Sequence, residues 1–204
     1  MRRSFLVVLC LLSFPLFAQR GAEALREYRS GSYQSAVDIC RQEIAVNSAD
    51  LDAHVILCWS LVALRRYEEA LTWALTGRNI SRYDPRIVEI LGEIYYYQGR
   101  NDDALRNFQE YINLAPQGDR LGLVYFYTGE VYIRQGRFQH ADIALSTAVY
   151  FRPQNTRWWT RLAYARENAG NLTGAIAAYE DALALDAYFS DALQGLERTR
   201  RSGR

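Results

Sequence analysis

Lysine is absent from this 204-residue chain, whose 24 basic residues are all arginine. That absence excludes a lysine Schiff base and the phosphate-gripping lysine of a Walker loop. Nothing local in the sequence asks for arginine at every site, so the bias is read as one of coding. Histidine (2) and cysteine (3) are too few and too scattered for a zinc or thiol-redox framework. Net charge is only +1, so no strong basic field points to nucleic acid as a partner. Proline is sparse (4), and half of the residues are hydrophobic, which argues against a disordered or collagen-like chain. A Gly-rich phosphate loop, a Cys-x-x-Cys pair and a His-Glu-x-x-His helix are all missing. His54 and His140 lie far apart with no helical-spaced ligand beside them, and read as a packing and a surface histidine. No metal, cofactor or catalytic activity is expected.

What is present begins with a processing signal. Met1-Arg2-Arg3 is basic, Phe5 to Phe17 is apolar apart from Ser13 and Pro15, and Ala18 precedes polar Gln19-Arg20. This order predicts a secretory signal peptide over residues 1–18, cleaved after Ala18, with an uncleaved anchor as the alternative. The apolar run is shorter than the roughly 20 residues a membrane span needs. Arg2-Arg3 resembles a twin-arginine signal, but the preceding polar residue is missing, which favours the general secretory route. Cys10 follows Leu9 rather than a small residue and reads as apolar filler, not a lipid attachment point. The rest of the chain is expected outside the cytosol: in a double-membrane bacterium, in the periplasm or associated with the envelope.

A period then runs through the chain. Ala36, Ala70, Ala104, Ala141 and Ala175 are spaced 34, 34, 37 and 34 residues apart, each just after a turn at Gly31, Arg65, Gly99, Gly136 or Gly170. The longer step is an insertion at Gln117-Gly118-Asp119. A second small residue stands before each turn: Ala24, Cys58, Gly92, Gly129 and Ala163. Paired small residues flanking a turn are what two antiparallel helices need where they cross closely. Val88, Leu91, Gly92 and Tyr95 recur at helical spacing, as do Ala104, Phe108, Tyr111 and Ile112, and Pro116 stops the second run. Trp159, Leu162 and Ala163, then Ala175, Tyr179, Ala182 and Leu183, repeat the pattern. No segment alternates with period two, so the fold is expected to be all-α. The units are 19–50 (degenerate), 51–84, 85–121 with its insertion, 122–155 and 156–189. Residues 190–204 form a capping helix with a basic tail, in which Leu193 and Leu196 are expected to face inward.

These units resemble tetratricopeptide repeats. The likeness is fullest in the third (Leu91-Gly92, Tyr95, Ala104, Phe108, Pro116). It is good in the fourth (Tyr125, Gly129, Tyr132, Ala141, Ala148, Pro153) and in the fifth. The second is weaker, with His54, Ala74, Gly77 and Arg82 at motif places. The first is weakest, with Glu23, Glu27 and Glu43 where apolar residues are usual. The resemblance implies a right-handed helix-turn-helix solenoid whose first helices line a concave, partner-holding groove. By that register the groove draws on Val55, Trp59 and Val62, then Arg86, Glu89, Glu93, Tyr96 and Tyr97. It continues with Phe126, Glu130, Ile133 and Arg134, then Arg157, Thr160, Tyr164 and Asn168.

Tyr and Trp give large, rigid contact areas, and the chain has 15 and 4 of them. Tyr95, Tyr132 and Tyr179 are expected in the core. Tyr96 and Tyr97 cannot both be buried beside Tyr95, so one faces the groove or solvent. Glu89, Glu93 and Glu130 read either as an acidic strip or as a solvated charged face neutralised by Arg86 and Arg134. The Lys/Asn/Arg carboxylate clamp of chaperone-binding family members is not matched, since Trp59, Glu93, Glu130 and Tyr164 occupy the asparagine places. Trp59, Tyr97 and Phe126 are expected to lie away from the helix crossings, so that truncating them leaves few cavities. Cys40 and Cys58 fall on buried places, as small apolar filler or as a disulfide pair. The expected function is an exported, non-catalytic scaffold for a peptide or partner protein. The alternatives are an accessory subunit of an envelope assembly or transporter, docking by its outer face or basic end, and a small-ligand-binding module.

Overall fold

Five turns set the architecture. The backbone is left-handed at Gly31 (φ 85°), Arg65 (60°), Gly99 (73°), Gly136 (70°) and Gly170 (84°), the only positive φ angles among the described residues. Each turn closes the same way. The amide after the left-handed residue donates back across the helix end: Ser32 to Glu27 O, Arg66 to Leu61 O, Arg100 to Tyr95 O, Arg137 to Tyr132 O and Asn171 to Arg166 O, at 2.8–2.9 Å. This is the Schellman closure, which satisfies carbonyls a helix end otherwise leaves open. Glycine suits it because it lacks the Cβ that disfavours positive φ. Arg65 departs from that rule. Arg65→Gly is therefore expected to stabilise the chain by about 1 kcal/mol, read as a higher thermal midpoint; an unchanged or lower midpoint would show that Arg65 carries no strain.

The computed structural model describes residues 14–202, and side chains from residue 21. Eleven helices and no strand occur among them: α1 (Phe14–Ser30), α2 (Tyr33–Val46), α3 (Leu51–Ala63), α4 (Tyr67–Ile80), α5 (Pro85–Tyr97), α6 (Asn101–Leu114), α7 (Leu121–Arg134), α8 (Phe138–Phe151), α9 (Thr156–Asn168), α10 (Leu172–Leu185) and α11 (Ser190–Ser202). Residues 1–13, most of the expected signal peptide, lie outside the described residues. The chain divides into two compact units, one ending at Ile94 and one beginning at Tyr95.

In the first unit α1 packs on α2 and α3, α2 on α3, and α3 on α4. Its crossings are fully enclosed at Ala24, Ala36, Cys58 and Ala70 (all 0% exposed), and the Cys58 thiol lies 3.7 Å from the Ala70 carbonyl. Asp50 and Asp84 start α3 and α5 by accepting amide hydrogen bonds from Ala53 (3.0 Å) and Arg86 (2.9 Å). His54 is wholly buried, as a packing histidine should be, with Nδ1 2.7 Å from the Asp50 carbonyl oxygen. Cys40 and Cys58 are both free and buried. Burial, followed by the neighbouring Glu43 charge, pushes the Cys40 thiol up to about 12, and burial raises that of Cys58 as well.

In the second unit α6 packs on α7, α7 on α8, α8 on α9, α9 on α10, and α10 on α11. Ala104, Ala141, Ala163 and Ala175 are all 0% exposed. At Gly129 a Cβ would sit 2.5 Å from Leu145 Cγ, so any side chain there requires Leu145 to shift. Asn155 and Asn171 cap α9 and α10 through the amides of Trp158 (3.1 Å) and Gly174 (2.9 Å). Four details differ from the sequence expectation. Tyr95 and Tyr132 are only half-buried, each ring covered by the arginine five residues on, Arg100 (4.3 Å) and Arg137 (4.6 Å). Trp158, not Trp159, is the buried tryptophan of α9; the indole of Trp159 turns out to donate to the Pro153 carbonyl. In α11, Leu193 is 45% exposed, and the inward face is Ala192, Gly195, Leu196 and Thr199. Small residues are selected there because Gly195 lies directly against the Tyr179 ring.

Candidate partner-binding site

On the first helices of the second unit, aromatic rings and arginines form one continuous cluster. The last turn of α5 brings Tyr96 and Tyr97 to Tyr127 of α7, with ring centroids 4.7 and 6.0 Å away and the Tyr97 and Tyr127 hydroxyls 3.0 Å apart. Tyr96 is buried (7%) and Tyr97 exposed (42%), so one of the pair faces out, as two neighbouring positions on one helix require. Phe126 stacks on Trp158 of α9 at 5.0 Å. Arg134 lies over the Tyr96 ring at 3.8 Å and donates to the Tyr96 carbonyl at 2.7 Å. Arg157 lies over Phe126 at 5.9 Å, and Arg161 over Tyr164 at 5.1 Å. Arg161 also donates to Glu130 at 2.6 Å. The Tyr96 phenol is raised above its usual range, by burial first and then by the Glu130 charge, against the opposing pull of Arg134 and Arg157.

This packing changes two expectations. Glu130 is buried (7%) and tied to Arg161, so it is not a solvated charge. Phe126 is 5% exposed, clamped between Trp158 and Arg157, so removing its ring opens a cavity rather than leaving the fold untouched. The accessible surface of the cluster belongs to Tyr97, Arg134 and Arg157, with half-buried Tyr164 beside them.

The first unit holds the other residues of the expected groove. Trp59 is half-buried and stacks on Tyr28 at 5.6 Å. Arg86 is engaged by Asp84 (2.9 Å) and by Asp52 (2.6 Å), the residue one repeat earlier at the same place. Glu89 is 0% exposed and Glu93 9%, so neither forms a solvated acidic face, and Glu89 has no accessible surface to give a partner. Trp59 and Arg86 instead border a cavity of about 660 Å³, together with Leu25, Arg29, Glu43 and Val55. Sequence reasoning missed this cavity. Its one visible signal was Glu43, a carboxylate at an apolar place of a repeat, which the structure buries to 4% exposure.

Paired helices crossing at small residues, with left-handed turns one repeat apart, define a helix-turn-helix α-solenoid of the kind that serves as an interaction scaffold. The family model for the tetratricopeptide repeat matches residues 91–155 and 128–188. The chain belongs to the tetratricopeptide repeat family. A curated relative, the tetratricopeptide repeat protein 21 homolog of Caenorhabditis briggsae, is 26% identical over 144 residues; the match takes in 68% of this chain and 10% of the relative. The chain thus spans about a tenth of that relative's length. Among solved structures, pilF of Pseudomonas aeruginosa superposes with a TM-score of 0.80 at 13% identity, over 92% of this chain and 84% of pilF. YrrB, described as a TPR protein with an unusual peptide-binding site, superposes with a TM-score of 0.68 at 13% identity, over 87% of this chain and 90% of its own. At such identities these likenesses bear on the fold alone.

Proposed function

We propose that this protein is an exported, non-catalytic scaffold that holds a peptide or partner protein against the first helices of its second unit. The observation that carries the reading is the accessible Tyr97–Arg134–Arg157–Tyr164 surface, laid over a rigid buried layer of Tyr96, Phe126 and Trp158. Rings and guanidinium groups held by stacking lose little entropy on binding, which suits them to act as anchors. Tetratricopeptide repeat proteins are in general interaction scaffolds without catalytic activity, and YrrB is described as having a peptide-binding site. Export rests on the order of residues 1–20, and among the described residues no helix is long and apolar enough to cross a membrane. The docking-subunit alternative loses support at the basic end, where Arg198, Arg200 and Arg201 already pair with Glu167, Glu180 and Glu197.

Affinity capture from the native envelope tests this reading. Photo-reactive cross-linkers are needed, because a chain without lysine gives amine reagents only its N-terminus. The captured protein is expected to begin near Gln19. Tyr97→Ala with Tyr164→Ala is expected to weaken the captured partner about 30-fold, as loss of an anchor worth about 2 kcal/mol does, with the helical fold retained and the thermal midpoint lowered only modestly. Retention of the partner by that variant, with its loss on charge reversal at Arg198 and Arg200, would replace the groove reading by docking through the basic end.

A further inference from the structure

The groove face of the second unit carries more positive charge than it neutralises. Arg134, Arg157 and Arg161 line it, and among the described residues Glu130 pairs with Arg161. Neither Arg134 nor Arg157 has a carboxylate partner among the described residues; their contacts are the Tyr96 ring and carbonyl for Arg134, and the Phe126 ring for Arg157. Both residues are exposed. Several other arginines of this unit have an acidic partner: Arg100 and Arg106 with Asp103, Arg166 with Asp142, Arg198 with Glu167, and Arg200 with Glu180; Arg137 and Arg152 stack on the Tyr132 and Trp158 rings instead. Stacking also decides which part of each guanidinium stays available. A ring takes one face and leaves the in-plane N–H groups; Arg134 gives one Nη1 hydrogen to the Tyr96 carbonyl and keeps its other donors, and Arg157 keeps its fork, the edge that fits a carboxylate with two hydrogen bonds. Each fork is oriented in advance by its ring, so little rotamer entropy remains to be lost.

We propose that Arg134 and Arg157 are carboxylate receptors for an internal acidic segment of a partner polypeptide, with Asp or Glu side chains reaching the two forks and an apolar or aromatic residue against Tyr97 and Tyr164. This rests on the interaction reading above and names its partner's chemistry. The forks come from two helices, α7 and α9, and suit carboxylates spaced along a chain. A chain terminus concentrates its charge on two oxygens and needs donors converging on one point. Nucleic acid fits poorly, since Glu130 lies within the same cluster and the whole chain carries a net charge of only +1.

Selection of the full chain against a random 12-residue peptide display library, followed by anisotropy with the selected peptides, tests the proposal. The synthetic peptides are N-acetylated and C-amidated. Enriched sequences are expected to carry two or more Asp or Glu residues around an apolar one. Replacing those acids by Asn and Gln is expected to weaken binding at least tenfold, and the wild-type affinity is expected to fall steeply with added salt. Arg134→Gln with Arg157→Gln should lose the same factor for the acidic peptide and nothing for its Asn/Gln form. Arg157→Gln alone, which breaks no hydrogen bond among the described residues, guards against a folding artefact and should lose part of the effect. Enrichment of neutral peptides that still depend on Tyr97 and Tyr164 would overturn the acidic assignment while leaving the scaffold reading intact. A requirement for a free C-terminal carboxylate, or displacement of the peptide by single-stranded DNA of similar length, would overturn it as well. Enrichment of no peptide at all would count against both the assignment and the groove.

Discussion

Gly129→Leu is expected to destabilise the second unit by about 3 kcal/mol, lowering the thermal midpoint by roughly 6–12 °C in a chain of this size. The reason is local and geometric. Gly129 lies on α7 where it crosses α8, and the three atoms nearest to an added Cβ all belong to Leu145, at 2.5, 2.9 and 3.3 Å. Leu145 is 0% exposed, so it has no solvent-side space to move into. A leucine must push the two helices apart or drive Leu145 off its rotamer, and either route strips contacts from a close-packed interior. Alanine at the same place is a milder test. It gains helix propensity of about 1 kcal/mol over glycine but still meets Leu145, so its net effect should be much smaller than that of leucine. Calorimetry of both variants checks the point. A leucine variant melting with the wild type would mean that the crossing does not lie at Gly129.

That crossing also shows how far the sequence reaches. The five small-residue pairs and the left-handed turns were legible because each is demanded by backbone geometry: a close approach or a positive φ admits few residue types, and the demand recurs at every repeat. At the place of Gly129 the first unit has Cys58, and at the place of Leu145 it has Ala74. Bulk traded across a crossing in this way preserves its volume while blurring the motif of any single repeat. What was not legible depends on side-chain direction. Leu193 and Trp159 were placed inside by periodicity, but a stripe of helical spacing is wide enough to misassign a residue at its edge. Tyr95 and Tyr132 were placed in the core, yet an arginine five residues on covers each ring, so a tyrosine at the surface edge needs no burial by apolar neighbours.

The charged residues of the groove were the hardest to read. Spacing places Glu89 and Glu93 on one face but says nothing about how much of that face is covered, and both are buried. Glu130 follows the same rule, held by Arg161 from the next first helix. Arginine differs in kind. Its long stem reaches outward and its head stacks on rings, so Arg134 and Arg157 stay accessible on helix faces where shorter carboxylates are enclosed. The accessible charge of the groove is therefore positive in the second unit, although the sequence there reads as mixed. Only the three-dimensional pairing separates arginines that are neutralised from those that are not.

Gly195→Leu is expected to release α11 from the second unit, a local loss of about 3 kcal/mol, because Gly195 faces Tyr179, a side chain at the centre of the latch on this helix. An added Cβ would sit 2.2 Å from Cζ of Tyr179 and 2.5 Å from its hydroxyl, and Tyr179 is 1% exposed. Moving that ring breaks more than packing. The Tyr179 hydroxyl donates to Glu167 at 3.0 Å, and Arg198 of α11 grips the same carboxylate with two bonds of 2.7 and 2.6 Å. In a repeat stack the terminal helix contacts only its neighbours, so the loss should appear as fast amide exchange over residues 190–202 while α7 and α8 stay protected. Acid should do the same in the wild type. Burial alone would raise the Glu167 carboxyl, but the bonds from Arg198 and Tyr179, with the Arg198 charge, outweigh it and hold the group below its ordinary 4.5. The latch is thus intact above pH 4.5 and is lost as pH falls through the lower folded value. Glu167→Gln, which cannot titrate, should give lower protection over α11 at neutral pH, measured against the intrinsic exchange rate at each pH, and a smaller loss of protection with acid than the wild type. Exchange in α11 that is as slow in Gly195→Leu as in the wild type, or equally acid-sensitive in Glu167→Gln, would show that the cap is held by other contacts.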